Sequence, residues 1–161
     1  MNLRETQQLD GVLTLELVRA DGTLVERRRV HNLITTAGRA LLAQLLMGRL
    51  DALPTRWEIV VGRGLAPARP ADTALGERLD QAEDAAPRVE VTPDEAGPGT
   101  VRATVSATLP PPAPGVVQPL TEAGIQITVG RAPPVLFNRV RFEPITRGDN
   151  MSLKLTWEIS F

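Results

Sequence analysis

The last eleven residues of the chain alternate between apolar and polar side chains, and no other feature constrains the fold as much. The apolar positions include Leu153, Leu155, Trp157, Ile159 and Phe161. The positions between them are Lys154, Thr156, Glu158 and Ser160. Because a β-strand directs successive side chains to opposite faces, this pattern predicts a strand with one buried and one solvated face. We expect Trp157 to anchor the core, and Phe161 either to complete that core or to contact a neighbouring subunit.

Other segments that favour β-strands occur along most of the chain. Residues 11–31 predict a β-hairpin, because the dipeptide Asp21-Gly22 supplies the positive φ angles of a tight turn. Further strands are predicted at residues 57–61, 87–91, 101–109, 122–129 and 135–142, with turns at 94–99, 131–134 and 147–150. No helices separate the later segments, which favours antiparallel pairing, including a pair between the closing strand and residues 136–145. We therefore predict a mainly β fold in one domain, residues 1–161: an antiparallel β-sandwich of about eight strands, with sandwich strands over residues 57–161.

One segment, residues 36–47, predicts an α-helix that covers a face or an end of the sandwich. Thr35 or Thr36 can cap its start, because a hydroxyl oxygen accepts a hydrogen bond from an exposed backbone N–H group. Gly48 can end the helix, and Gly38 weakens it slightly. Its apolar face comprises Ala37, Ala40, Leu41, Leu42, Leu45 and Leu46. A shorter helical turn or two is expected within residues 72–79.

Composition excludes several classes of site. The chain has 161 residues, the size of one domain, and its net charge of −1 indicates no general attraction to nucleic acid or to an anionic membrane. It has no cysteine, which excludes disulfides, thiolate metal sites and cysteine nucleophiles. No stretch approaches the roughly 20 apolar residues that cross a bilayer. Residues 1–8 lack the apolar region of a signal peptide.

Three consecutive arginines, Arg27, Arg28 and Arg29, raise the alternative of a nucleic-acid-binding patch. On a strand, Arg28 points away from the face that Arg27 and Arg29 share, so the three do not form one surface. Solvated side chains, or side chains that protect a sheet edge, are the favoured interpretation.

No arrangement of residues indicates catalysis, a cofactor or a metal. His31 is the only histidine, so a metal site would depend mainly on carboxylates. A Ser–His–acid triad would have to combine His31 with Ser106, Ser152 or Ser160, and each of these serines lies on a predicted strand rather than a strained turn.

Four further motifs have simple structural explanations. Gly62-Arg63-Gly64 follows a strand as a phosphate-binding loop would, but the third glycine and the following helix are missing. An acidic group within residues 80–95 lacks the spacing of a calcium loop and predicts a solvated loop. Its members are Asp80, Glu83, Asp84, Glu90, Asp94 and Glu95. Arg147-Gly148-Asp149 matches an adhesion tripeptide, although a turn is sufficient reason for it. Residues 110–115 predict a stiff proline-rich surface loop rather than a ligand for an aromatic groove.

Six short segments, taken in order, carry a resemblance. They are N-L-I-T-T-A-G at 32–38 with the Leu/Ala-rich helix it opens, the strand ending in V-G-R-G at 61–64, A-D-T-A-L at 71–75, T-E-A-G-I at 121–125, L-F-N-R-V-R-F-E-P-I at 136–145, and the closing strand at 153–161. Together they resemble small tail-associated structural proteins of tailed phages and related contractile injection particles. The similarity spans the chain from about residue 30 to its end.

The resemblance implies a non-enzymatic structural or adaptor role in the tail, baseplate or fibre region of such a particle. It implies no catalytic, cofactor-binding or metal-binding residues. It also implies a symmetric homo-oligomer that contacts other tail, baseplate or fibre proteins, located in the virion or injection particle after synthesis in the host or bacterial cytoplasm. A carbohydrate- or receptor-binding module on the same sandwich is the alternative, and an enzyme on a β-scaffold ranks third.

Glu122 and Arg139 are the best candidates for a specific polar contact. Arg139 lies on a predicted strand beside the apolar residues Phe137 and Val140, and an arginine in such a place needs a carboxylate partner. Glu122, on a predicted neighbouring strand, is the expected partner, and binding of Arg139 to another subunit is the alternative. Glu122, Arg139, Trp157 and Phe161 are thus the candidate structural or interface residues.

Overall fold

The computed structural model describes residues 9–84, 86–92 and 100–161. Over these residues the chain forms ten β-strands in two five-stranded sheets, together with one α-helix. The prediction of a mainly β, antiparallel sandwich with a single helix is confirmed. The count of about eight strands was too low, because strands β3 (Leu33–Ile34) and β5 (Arg78–Asp84) were not predicted.

The closing strand lies at the centre of the first sheet, which we call sheet 1. Its members are β1 (Asp10–Arg19), β2 (Leu24–His31), β6 (Ala86–Thr92), β7 (Thr100–Leu109) and β10 (Met151–Ser160). Their order is β2-β1-β10-β7-β6. The prediction that β10 pairs with residues 136–145 is wrong, since Trp157 faces Leu13 on one side and Val105 on the other. Alternation specifies which face of a strand is buried, but it does not specify the neighbouring strand.

The N-terminal hairpin is confirmed, and it is part of the sandwich rather than an addition to it. β1 pairs with β2 on one side and with β10 on the other. Gly22 has a φ of 87° at the turn, a conformation that glycine adopts without steric cost. Residues 11–31 therefore join the sheet that the C-terminus completes.

The second sheet, sheet 2, contains the longest strands. Its members are β3, β4 (Pro54–Gly62), β5, β8 (Gln118–Val129) and β9 (Val135–Arg147), in the order β3-β9-β8-β4-β5. β8 begins four residues before the predicted residue 122, and β9 continues past the predicted residue 142, because their pairing extends to Gln118 opposite Arg147. The turn into β10 accordingly begins at Gly148.

The core between the sheets is apolar. It includes Leu13, Leu15, Ile59, Val105, Leu109, Leu120, Ile125, Phe137, Ile145, Leu155, Trp157 and Ile159. Trp157 is fully buried, as predicted for the anchor of the core. Phe161 does not complete the core: its side chain is 54% exposed, although its N–H group donates to the Val101 carbonyl oxygen at 3.1 Å.

Helix α1 (Thr36–Leu46) packs on β9 through a small part of its surface. Thr35 is the cap, since its hydroxyl oxygen accepts from the Gly38 N–H at 2.9 Å. Gly48, with a φ of 61°, follows the helix end. Only Gly38 and Leu41 of the helix are buried. The expected apolar face is therefore wrong in part, because Ala40, Leu45 and Leu46 are exposed.

The described residues include no helix with the length and apolarity that a bilayer crossing requires.

A segment without regular structure, residues 63–77, contacts sheet 2 on the side away from the core; we call it the covering segment. The expected helical turns at 72–79 are absent, and β5 starts at Arg78 instead. Under the covering segment, eight consecutive residues of β8, 120–127, are all buried. Sheet 2 is thus covered on both faces along the middle of β8.

The acidic group was expected in a solvated loop, and the expectation of a loop is wrong for Asp80, Glu83 and Asp84, which belong to β5. Glu90 belongs to β6, within the strand predicted at residues 87–91. The two other members and the predicted turn at 94–99 lie outside the described residues.

Candidate functional site

Glu122 is the centre of a buried polar network between β8 and the covering segment. Its side chain is fully buried, yet its carboxylate accepts three backbone N–H groups. Oε1 accepts from Gly64 at 2.8 Å and from Glu77 at 2.7 Å, and Oε2 accepts from Gly76 at 2.9 Å. A carboxylate held by several backbone donors is stabilised in its charged form.

Arg139 supplies the opposite charge from the adjacent strand, β9. Its Nε and Nη2 donate to Glu122 Oε2 at 3.0 and 2.8 Å, and its Nη1 donates to Asp72 Oδ2 at 2.7 Å. Nη2 also donates to the Ala66 carbonyl oxygen at 3.1 Å. The predicted pairing of Arg139 with Glu122 is therefore present, and it is almost completely shielded from solvent.

Asp72 links this network to the covering segment. Its Oδ2 accepts from the Arg69 N–H at 2.8 Å as well as from Arg139. No helical turn begins at Asp72; its side chain closes a loop and neutralises part of the buried guanidinium charge. One arginine thus pairs with two carboxylates, of which Glu122 is the deeper.

The contacts of Glu122, Asp72 and Arg139 determine the ionisation state of each side chain. Burial alone would raise the pKa of Glu122, but the N–H groups of Glu77, Gly76 and Gly64, together with Arg139, outweigh burial and lower the pKa below its usual value. Burial would also raise the pKa of Asp72, and the Arg69 N–H and Arg139 reverse that effect. Burial opposes the charge of Arg139, but the two carboxylates raise its pKa. All three groups are charged at neutral pH.

Glycines make the close approach of Glu122 to the covering segment feasible. A Cβ at Gly64 would lie 2.4 Å from Glu122 Oε1, and one at Gly62 would lie 2.5 Å from both Glu122 Oε1 and the Glu77 carbonyl oxygen. The Gly-x-Gly motif therefore does surround an anion, as phosphate-binding loops do. That anion is the protein's own Glu122 carboxylate.

Two further sets of contacts attach the covering segment to the sheet. Thr121 donates its hydroxyl to the Gly64 carbonyl oxygen at 2.8 Å. Beside the polar network, Val60, Leu75 and Leu136 form a small buried apolar cluster. Gly124 leaves room for that cluster, because a Cβ there would lie 2.9 Å from Leu136 Cδ1.

Helix α1 is attached by the segment that precedes it. The Thr35 hydroxyl donates to the Leu136 carbonyl oxygen at 2.6 Å while it caps the helix. The Thr36 N–H donates to the Pro70 carbonyl oxygen at 2.8 Å, which connects the helix to the covering segment. The sequence predicted a cap at Thr35 or Thr36, but it did not predict these contacts with Leu136 and Pro70.

The chemical capacity of the network is limited by its own contacts. Glu122 Oε1 accepts two hydrogen bonds and Oε2 accepts three, so every favourable direction around the carboxylate is used. A carboxylate with a lowered pKa is a weak base near neutral pH. The network is suited to holding the covering segment on sheet 2.

His31 and the serines considered for a catalytic triad lie on different strands. His31 is exposed on edge strand β2. Ser152 and Ser160 lie on β10, which β1 separates from β2, and Ser106 lies one strand further away. Among the described residues, no group of three or more acidic or histidine side chains could hold a metal ion.

Arg147 shows that the adhesion tripeptide is a structural turn. Its side chain is fully buried and donates to the Pro110 carbonyl oxygen and to Gln118 Oε1. Asp149 accepts from the Gly115 N–H at 2.8 Å, which fixes the proline-rich loop against the turn. An adhesion motif requires an accessible arginine, so this interpretation is excluded.

The three consecutive arginines point to two sides, as the strand pattern predicted. Arg27 pairs with Glu16 at 2.6 Å and Arg29 with Glu158 at 3.3 Å on the outer face of sheet 1. Arg28 donates to the carbonyl oxygens of Glu143 and Pro144 on β9, at 2.6 and 3.1 Å. Arg28 therefore joins the edges of the two sheets.

Sequence reasoning missed Asn138, whose role depends on an irregularity in strand pairing. Its Oδ1 accepts from the Ile125 N–H at 2.8 Å, next to the register shift at residues 125 and 126. A side chain thus replaces the backbone acceptor that the shift removes. Its position within L-F-N-R was the only sequence signal.

No protein-family model matches this sequence, and no curated protein or solved structure shows significant similarity to it.

Proposed function

We propose that this protein is a non-enzymatic structural or adaptor component of a phage tail or contractile injection particle. In this role it assembles with itself and with neighbouring tail, baseplate or fibre proteins, and it is located in the particle. The basis is the series of sequence segments that resemble tail-associated proteins, together with what those segments do in the fold.

One observation carries the proposal: five of these segments converge on the layer that covers sheet 2. Gly64 of V-G-R-G, Asp72 of A-D-T-A-L, Glu122 of T-E-A-G and Arg139 of L-F-N-R are members of one hydrogen-bonded network. Thr35 of N-L-I-T binds the backbone of the same L-F-N-R segment. The motif residues thus specify a scaffold, which is what a structural component requires.

An enzymatic role fits these residues less well. The buried ionisable groups are engaged with each other and with backbone groups, and the pKa of each carboxylate in the network is lowered rather than tuned toward neutrality. General acid–base catalysis favours groups whose pKa lies near the working pH. The network instead gives rigidity to loops that can contact neighbouring proteins.

Exposed apolar side chains provide a second line of support. Leu46, Leu53, Leu65 and Val117 are each at least two-thirds exposed. Single exposed apolar residues are normal, but clusters of them often mark contacts between proteins. Leu46 and its neighbour Met47 form such a cluster at the end of α1.

The test is whether the chain is a stoichiometric part of a particle. A tagged chain is expressed from its native locus, particles are purified on a density gradient, and the copy number is measured by quantitative mass spectrometry. We expect co-purification with sheath, tube, baseplate or fibre proteins at a fixed ratio. A chain that remains monomeric and is absent from particles would contradict the proposal, and glycan binding by that free chain would favour the recognition-module alternative.

A further inference from the structure

The C-terminal end of α1 presents apolar side chains that the fold does not bury. Leu46 is 85% exposed, Met47 is 72% exposed and Leu45 is 40% exposed. We call these three consecutive residues the helix-end knob. Leu45 and Leu46 end the helix and Met47 is its C-cap, beyond the buried positions Gly38 and Leu41.

A groove adjoins the knob on the same end of the molecule. It has a volume of about 380 Å³ and lies between α1, residues 49–52 and the β8–β9 turn. Its apolar lining includes Leu41, Leu50, Val129 and Val135. Gln44, which also lines the groove, is the residue directly before the knob, so the projection and the depression are neighbours.

Charged side chains of both signs surround the groove. Arg49, Asp51 and Arg131 are exposed at its rim. None of the three is in an ion pair with another described residue. The rim can therefore form ion pairs with a partner that also carries both signs.

From this arrangement we infer that the helix-end knob and the adjoining groove form a twofold interface with a second copy of this chain. In a twofold interface the same patch is used by both subunits, so it must be complementary to itself. A patch that contains both a projecting apolar group and an apolar groove meets this condition. The knob of each copy enters the groove of the other, and Asp51 of each copy faces an arginine at the other rim.

A second copy fits this surface better than an unrelated protein does. The exposed apolar knob and the apolar groove lie side by side here, so a second copy supplies the complement of each. The net charge of −1 also imposes little repulsion between copies. The inference rests on the proposed function for its assumption of self-association, and it adds the surface by which two copies meet.

The first experiment compares two leucines that are both largely exposed. Sedimentation velocity is measured for the wild-type chain, for Leu46→Asp in the knob, and for Leu65→Asp in the covering segment, where Leu65 is 67% exposed. We expect Leu46→Asp to raise the dissociation constant of the dimer about tenfold or more, as for a central interface residue, and Leu65→Asp to leave it unchanged. Equal behaviour of the two variants, or a wild-type chain that is monomeric at every concentration, overturns the inference.

A second experiment uses the absence of cysteine in the chain. Leu46→Cys places a thiol on the knob, Ala132→Cys places one at the groove, and Val117→Cys is an exposed control between the proline-rich loop and β8. The variants carry tags of different size and are mixed in pairs under mild oxidation. We expect a disulfide-linked product between the first two at several times the yield of either with the control, and equal yields overturn the inference.

The two proposals fail in different ways. If the wild-type chain self-associates and enters particles but Leu46→Asp has no effect, the surface is wrong while the structural role stands. If the wild-type chain forms the knob-to-groove dimer but never enters particles, the dimer surface stands and the role in the particle is wrong.

Discussion

The two sheets of this sandwich differ in how many of their faces are buried. In sheet 1 the central strand β10 alternates between buried core residues and residues at least partly accessible to solvent, as its sequence does. In sheet 2 the central strand β8 is buried at eight consecutive positions, because the covering segment packs on its outer face. Sheet 1 is therefore stabilised through one face, and sheet 2 through two.

The two sheets also differ in how they accommodate a glutamate that pairs with arginine. On sheet 1, Glu158 pairs with Arg29 and Arg102 across the surface at 3.3 and 3.4 Å and keeps about a third of its side chain exposed. On sheet 2, Glu122 pairs with Arg139 in complete burial and also receives backbone donors. Exposed pairs contribute little to stability, whereas breaking a buried pair leaves an uncompensated charge.

The largest expected effect follows from breaking that buried pair. Glu122→Gln removes the deeper of the two charges that balance Arg139 while it keeps the size of the side chain, and it should lower the free energy of unfolding by about 3–5 kcal/mol. The matched change on sheet 1, Glu158→Gln, should cost less than about 1 kcal/mol. Urea denaturation measures both, and similar costs for the two would contradict the contrast between the sheets.

The stability of the Glu122→Gln variant should also depend on pH differently from that of the wild type. The folded-state pKa values of Glu122 and Asp72 lie below their unfolded values of about 4.3 and 3.9. Their stabilising contribution is therefore present above those values and is lost as the pH falls through the lower, folded-state values. Wild type should lose stability steeply below about pH 4, and Glu122→Gln should show a shallower decline.

Trp157→Ala should cost a comparable amount, about 3–5 kcal/mol, because it leaves a cavity in the core that the two sheets share. Its indole Nε1 has no hydrogen-bond partner among the described residues. Trp157→Phe should consequently cost much less than Trp157→Ala, since it keeps most of the apolar volume and removes an unsatisfied donor. Thermal and chemical unfolding of the two variants measure this difference, and a near-neutral Trp157→Ala would contradict the anchoring role.

A smaller but more direct comparison uses the outer faces of two interior strands, β9 in sheet 2 and β10 in sheet 1. Leu136 points away from the core of sheet 2 into its cluster with Val60 and Leu75, so Leu136→Ala should cost about 2–5 kcal/mol. Lys154 lies on the outer face of sheet 1 and is exposed, so Lys154→Ala should change stability by less than about 0.5 kcal/mol. Equal costs in denaturant titrations would mean that the covering segment does not protect its sheet.

The smallest effect, about 1–3 kcal/mol, is expected for Gly38→Ala. Helix propensity alone predicts stabilisation, because alanine is favoured over glycine within a helix. The structure predicts the opposite sign, because a Cβ at this position would lie 2.2 Å from the Phe137 carbonyl oxygen. A rise in melting temperature would show that the helix and β9 can separate without cost. Ala43→Gly, at an exposed helix position, is the control for propensity.

Much of sheet 1 could be predicted from sequence because each of its strands carries its own signal. Alternation identified β10 and β7, and Asp21-Gly22 identified the hairpin. Sheet 2 was harder, because burial on both faces removes alternation along the middle of β8. The ends of β8 and β9 that were not predicted include Pro119 and Pro144, and a proline argues against a strand interior.

The sequence predicted only part of the candidate site, because most of its contacts join segments that are distant in the chain. Arg139 and Glu122 were expected to pair because an arginine among apolar neighbours requires a carboxylate. Asp72 and the N–H groups of Gly64, Gly76 and Glu77 could not be assigned, because 45 or more residues separate each of the latter from Glu122. Local pattern carries no information about contacts at such separations.

The sequence by itself determined the mainly β fold, a helix capped by Thr35 or Thr36, and the buried face of the closing strand, because each depends on neighbouring residues. Only the tertiary structure decided that β10 lies between β1 and β7 and that Gly62-Arg63-Gly64 surrounds the protein's own carboxylate. It also decided that Gly38 lies in close contact with the backbone of β9 and that the end of α1 remains exposed. These outcomes depend on which surfaces meet after the chain has folded, and period-two and period-3.6 patterns specify a face without specifying its partner.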